Sequence, residues 1–300
     1  VYQGSWVKGL RDGKGELLFP TGEKYVGDFH EGLFNGEGSF YFVDGRVYEG
    51  EWVDDLMSGN GRLCDTSGLC IQGHFVDCQV TGQASILDNG HERYVGQMKE
   101  GVIDGLGVYR FDNGDVYEGE FNQGKLSGQG RYKFSTGEEY VGEFREGVFF
   151  GKGEYCWKKN NAYKGEFCNG KAEGQGRLVM SEKLILEGNF KENFLCDSQG
   201  RIQMIGEWLF EGGMEGNQKE GQGRYTNLKD TTVEGDWAGD VLINGRLVVE
   251  NQYRYSGPFV NNQFSGEGFL KYFDETSYKG QFREGLFDGH GELTYSNGDV

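Results

Sequence analysis

Aromatic and glycine positions alternate with charged ones in short runs along this chain. The runs recur every 23 residues, beginning at Tyr2, Tyr25, Tyr48, Ile71, Tyr94, Tyr117, Tyr140, Tyr163 and Leu186. The stretch from Tyr117 to Glu139, YEGEFNQGKLSGQGRYKFSTGEE, shows the unit most clearly. Tyr117, Gly119 and Phe121 share one face at the two-residue period of a strand, while Glu118 and Glu120 share the other, which predicts a half-buried strand. A polar, glycine-bearing connection is then predicted up to Gly128. Gly128 and Gly130 lead into a second short strand from Arg131 to Phe134, closed by Ser135-Thr136-Gly137. Each repeat therefore reads as a β-hairpin. No room is left before the next tyrosine for a crossover helix, so successive hairpins are expected to pair side by side.

A period this regular describes a linear array of stacked units, not a globule around a pocket. The predicted fold class is all-β: an elongated, single-layer antiparallel sheet of stacked hairpins, its axis roughly 100 to 125 Å long at the usual strand spacing. Gly119 and its equivalents Gly4, Gly27, Gly50, Gly73, Gly96, Gly142 and Gly165 fall on the aromatic face, where a side chain would compete with neighbouring rings for space. The 54 glycines fit this use. They follow no third-residue period, which excludes collagen, and 22 Phe, 17 Tyr and 5 Trp argue against glycine-rich disorder.

Units such as YVGDFHEGLFNGEGSFYFVDG, YEGEWVDDLMSGNG and YKGEFCNGKAEGQG resemble MORN repeats, the membrane occupation and recognition nexus family. The resemblance covers residues 2–185 and resumes from Tyr255 to the end. It implies a β-hairpin array acting as a protein-binding or membrane-associated module. Such modules occur in cytoskeletal scaffolds, ciliary and junctional proteins, lipid kinases and lysine methyltransferases.

Three segments are expected: regular repeats over 1–185, divergent repeats continuous with the array over 186–254, and regular repeats over 255–300. In the middle segment the glycine pair is replaced by Asp197-Ser198-Gln199-Gly200. New starts are read at Met204 and Val233, with an extended connection from Phe210 to Gly221 between them. The readings left open are loop drift, a bend or partner-specific insertion, and a domain boundary. Ser296-Asn297-Gly298-Asp299-Val300 matches Asn113-Gly114-Asp115-Val116, which precedes Tyr117, so a further repeat is expected after residue 300.

Two surfaces are candidates for binding. The aromatic row, represented by Tyr25, Phe29, Tyr117, Phe121, Tyr140 and Phe144, reads as core, as an exposed groove, or as each at different rings. Apolar residues also recur just before the glycine pair: Leu10, Leu33-Phe34, Leu56-Met57, Val102-Ile103, Leu126, Val148-Phe149-Phe150 and Leu286-Phe287. These either seal the hairpin edge or form a ridge for a partner or for self-association.

The net charge of −18 disfavours nucleic acid, because no basic stripe is present to release counterions from phosphate. It also weakens direct contact with an anionic membrane, since lysines and arginines are scattered. No metal is expected. Outward carboxylates such as Glu49, Glu51, Glu118, Glu120, Glu143 and Glu166 recur two strands apart, roughly 10 Å, whereas Ca²⁺ takes oxygens at about 2.3 to 2.6 Å. Cys64, Cys70, Cys78, Cys156, Cys168 and Cys196 lack a zinc-knuckle or CxxC spacing and read as small structural hydrophobes in reducing, intracellular surroundings. A site at Cys70, His74 and Cys78 is the weaker reading, because Gly73 and Phe75 already belong to the repeat strand.

No GxSxG, HExxH or GxxxxGK[ST] motif occurs, and the GxG pairs precede strands instead of opening a helix, so neither catalysis nor a cofactor is expected. The reading that results is a noncatalytic protein-interaction scaffold in the cytoplasm, associated with cytoskeleton or membrane periphery. Its partner is an extended or helical segment with basic and apolar residues, held along the aromatic face. The resemblance keeps two alternatives open: a targeting or regulatory module of a lipid kinase or lysine methyltransferase, and a membrane-contact protein.

Overall fold

Each 23-residue unit folds into a hairpin whose turn comes earlier than the glycine pair suggests. Strand Val116–Asn122 pairs antiparallel with strand Lys125–Lys133, in the register Tyr117↔Tyr132, Gly119↔Gly130 and Phe121↔Leu126. Only Gln123 (φ 47°) and Gly124 (φ 80°) connect them. Two successive left-handed residues make the type I′ turn, whose twist matches that of the strands. Gly128 (φ 56°) belongs to a bulge, where the register shifts between Gly119 and Glu120. The predicted connection up to Gly128 is therefore mostly strand, and the second strand is nine residues long.

The computed structural model describes residues 1–227 and 229–300, and its described strands form antiparallel ladders with no helix. Two compact units are present, Val1–Val148 and Phe149–Val300. In the first, thirteen described strands run from Tyr2–Val7 to Glu139–Arg145, each antiparallel to the next. The second is itself an antiparallel meander, from Val148–Lys158 to Leu286–Thr294.

The divergent segment keeps the phase. Asp197–Met204 is the second strand of the hairpin that Leu184–Lys191 opens, with Leu186↔Ile202, so Met204 ends a unit and starts none. The next first strand is Trp208–Glu215, where a connection was expected. Phe210 takes the tyrosine position there, 0% exposed, ahead of the pair Gly212↔Gly223. Starts at Leu186, Phe210, Val233, Tyr255 and Tyr278 lie 24, 23, 22 and 23 residues apart. The start at Val233 was read correctly, and the one before it was hidden because Phe210 replaces the tyrosine by which the eye counts.

One covalent link joins neighbouring hairpins. Cys64 and Cys70 are direct cross-strand partners and form a disulfide. Six residues of sequence separation carry no disulfide signature; only the hairpin register brings the two together. The reading of both as unpaired thiols is corrected for this pair, while Cys78, Cys168 and Cys196 are free thiols.

Candidate interaction face

The aromatic face is built from the tyrosine that opens each unit. Tyr117 lies over the pair Gly119 and Gly130: a methyl group on Gly130 would stand 2.5 Å from its Cε2, and one on Gly119 would stand 2.5 Å from its Oη. Its hydroxyl reaches beyond the glycines and donates to the Glu120 carbonyl at 2.9 Å. The same bond to the third residue on recurs at Tyr25, Tyr48, Tyr94, Tyr140, Tyr163, Tyr255 and Tyr278. Edge-on contacts link the rings: Tyr117 meets Phe121 of its own hairpin at 5.0 Å and Phe144 of the next at 5.0 Å. Such pairs add about 0.5 to 1.5 kcal/mol each beyond area burial.

This packing settles which rings are covered. Tyr25, Tyr117 and Tyr140 are 0% exposed, Phe29 and Phe144 3%, and Phe121 5%. All six are core, so a partner on this face would touch what lies beside them. Loss of water raises the phenols, to about 12 at Tyr94 and Tyr163 and further at Tyr25 and Tyr117, so they stay neutral hydrogen-bond donors at physiological pH.

The residues expected as a loop ridge divide between two faces. Phe34 is a strand residue opposite Phe29, buried, and stacked on Tyr25 at 3.8 Å. Phe287 stacks likewise on Tyr278 at 3.8 Å, and Phe149 contacts Tyr155 and Phe167 at 6.1 Å each. Phe150 is partly exposed and Leu286 is 71% exposed. The first apolar residue of the doublets Leu33-Phe34 and Leu286-Phe287 thus points outward and the second caps the tyrosine. Strand alternation produces this split once the turn is at Gln123-Gly124.

The outward carboxylates have a structural task that the sequence reading missed. Glu120 accepts the bulge amide of Gln129 at 2.9 Å, and Glu51 accepts that of Asn60 at 2.8 Å. Elsewhere on this face Arg177–Glu187 (2.8 Å) and Arg224–Glu234 (3.4 Å) are exposed pairs of the kind that contributes little. Among the described residues no group of three His, Cys, Asp or Glu is arranged to hold a metal ion.

Also missed was a second aromatic row. Tyr109–Phe111 (4.8 Å), Phe111–Tyr132 (5.5 Å) and Tyr132–Phe134 (4.7 Å) form a chain of partly exposed rings beside the buried tyrosines. Its signal was available as pairs of aromatics two residues apart, Tyr109 with Phe111 and Tyr132 with Phe134. Asp115, 5% exposed, fixes this row: it accepts from the Ser135 amide at 2.8 Å, the Tyr132 hydroxyl at 2.7 Å and Asn113 Nδ2 at 2.8 Å. These bonds, the Ser135 amide first, hold its carboxyl below the usual 3.8. Asp115→Ala is expected to lower the melting temperature at pH 7. Because the folded value is depressed, the carboxylate stabilises above its unfolded pKa, and that stability is lost as pH falls through the folded one. Melts recorded from pH 7 to pH 2.5 should show the gap to wild type closing below about pH 4; a constant gap would refute the assignment.

The family model for the MORN repeat matches residues 2–24, 25–45, 48–70, 94–116, 117–139, 140–162, 163–181, 210–227, 255–277 and 278–300. The chain belongs to the MORN-repeat family. The match at 210–227 agrees with the repeat start at Phe210 found in the fold. The Ile71–Arg93 unit, which the sequence reading included in the resemblance, is unmatched, and its MORN glycine pair is altered: Ile71 replaces the tyrosine and Ala84 replaces the second glycine opposite Gly73. No curated protein matches the chain. Among solved structures, a mutant of the TCP10 domain of Danio rerio CPAP is 11% identical, covering 87% of this chain and 94% of that one with a TM-score of 0.17. A catalytically inactive virginiamycin B lyase from Staphylococcus aureus is 10% identical, covering 94% and 99%, with a TM-score of 0.15. Likenesses this slight carry no argument.

Proposed function

We propose that this MORN array is a noncatalytic protein-interaction scaffold that holds an extended or helical partner segment along the aromatic face. The observation that carries this reading is the second aromatic row, in which Tyr109, Phe111, Tyr132 and Phe134 touch one another and keep part of their surface open. Rings held by a packed row behind them lose little freedom on binding, so a few of them can supply most of the affinity. The net charge of −18 favours a basic partner and speeds its approach. A cytoplasmic setting belongs to the same proposal: the free thiols Cys78, Cys168 and Cys196 support it, and the Cys64–Cys70 disulfide weighs against it.

Phe111→Ser combined with Phe134→Ser tests the assignment. Partners captured by crosslinking are identified and their affinities measured by calorimetry, after circular dichroism has established retained folding. At least a tenfold loss is expected, against little change for Glu118→Ser on the opposite face. Unchanged affinity would overturn the assignment, and strong vesicle binding with no protein partner would favour membrane contact. Tyr117 and Tyr140, being core, would report on folding instead.

A further inference from the structure

The outward face of the first unit carries an apolar stripe that the fold does not require. At the turn ends, Val7 (51% exposed), Leu10 (49%), Leu33 (39%), Val53 (50%), Leu56 (43%) and Val76 (47%) recur at hairpin spacing. Val7 pairs with Leu10 and Val53 with Leu56, so each contributing hairpin presents one or two of them side by side. The repeats supply their own control. The same paired positions are Asn122 and Lys125 in a later hairpin and Cys168 and Lys171 in another, with the turn intact in both. Packing therefore does not dictate apolar residues here, and a contiguous exposed row of them marks a contact surface.

We infer that this stripe docks an amphipathic helix with an apolar seam flanked by lysine or arginine. The inference rests on the reading of the chain as an interaction module and names a second surface of it. Two features select the occupant. The turns bordering the stripe carry exposed Glu31, Asp54, Asp55, Asp77 and Glu100 against Lys8 and the adjoining Lys99, so the rim is acidic on balance and complements a basic flank. The turn amides are already bonded to the neighbouring hairpin, Gly32 to the Arg11 carbonyl, Asp55 to that of Phe34, Cys78 to that of Met57 and Gly101 to that of Val80. A β-strand laid along these turns would find those four amides taken, whereas a helix satisfies its own backbone. Spacing agrees as well: two strands advance the stripe by about 9.6 Å, close to the roughly 10.5 Å between heptad-related positions on a helix.

The probe is a 20-residue helical peptide with leucine along one face and lysine elsewhere, compared with its leucine–glutamate counterpart. Calorimetry on the intact chain should detect binding of the lysine peptide only. Leu33→Ser with Leu56→Ser should weaken it at least tenfold, Asp54→Lys with Asp77→Lys should also weaken it, and Phe111→Ser with Phe134→Ser should leave it unchanged. Circular dichroism guards against unfolding. Binding lost in the ring variants but kept in the stripe variants would overturn the stripe and leave the scaffold reading standing. Equal binding of both peptides, or of neither, would overturn the assigned partner. Phosphatidylcholine–phosphatidylserine vesicles bound through Leu33 and Leu56, in the absence of peptide binding, would overturn it in favour of a membrane, and a stripe-dependent dimer in favour of a second copy.

Discussion

Gly130→Ala is expected to cost about 2 kcal/mol in the wild-type chain and close to nothing once Tyr117 is replaced by isoleucine. The added methyl would meet the Tyr117 ring 2.5 Å from Cε2, and the ring cannot retreat, because its hydroxyl is bonded to the Glu120 carbonyl and its edges abut Phe121 and Phe144. Removing the ring removes the obstacle. The Ile71 hairpin already embodies the double change, with isoleucine at the ring position and Ala84 facing Gly73. Gly119 behaves differently. A methyl there would lie 2.6 Å from the Gly130 Cα and 2.7 Å from the Gln129 carbonyl oxygen, so Gly119→Val should cost about 3 kcal/mol in either background. Urea melts of the single and double variants measure this. An equal cost for Gly130→Ala in both backgrounds would mean that the glycine serves something other than the tyrosine.

The contrast between these two glycines marks how far the sequence could be read. Its period, the hairpin in each unit and the crowding of Gly119 against the aromatic face follow from two-residue alternation, which needs no knowledge of neighbours. The turn was misplaced because the GxG pair looks like a turn signal, while the true one, Gln123-Gly124, is ordinary in composition. That shift of a few residues moved Leu126 and its equivalents from loop to strand, and with them the faces of Phe34 and Phe287. Burial of Tyr25, Tyr117 and Tyr140 stood among the sequence readings beside an exposed groove, and the choice between them was illegible for another reason. In a single layer a ring is covered only by lying across glycines and meeting the next hairpin's phenylalanine or tryptophan, as Tyr25 meets Trp52 at 5.5 Å. Glu120 and Asp115 look like solvent carboxylates in sequence, yet each holds backbone amides twenty residues or fewer away.

Tyr117→Ala should destabilise the first unit by about 4 kcal/mol, and Tyr117→Phe by about 1 kcal/mol. The alanine change empties a site that is 0% exposed and removes both edge-on contacts, to Phe121 and to Phe144. The phenylalanine change keeps the ring and loses the hydroxyl, which donates to the Glu120 carbonyl at 2.9 Å and reaches that of Ser127 at 3.2 Å. Phe210 already lives without that bond, stacking edge-on against Trp237 at 5.4 Å. In a repeat array each unit is stabilised by itself and its neighbours, so damage should spread locally. Hydrogen exchange is expected to quicken most in Val116–Asn122 and Lys125–Lys133, next in Glu139–Arg145, which carries Phe144, and least near Tyr2–Val7. Uniform loss of protection across Val1–Val148 would show instead that the thirteen strands unfold as one cooperative body, and that the ring ladder couples hairpins over the whole unit.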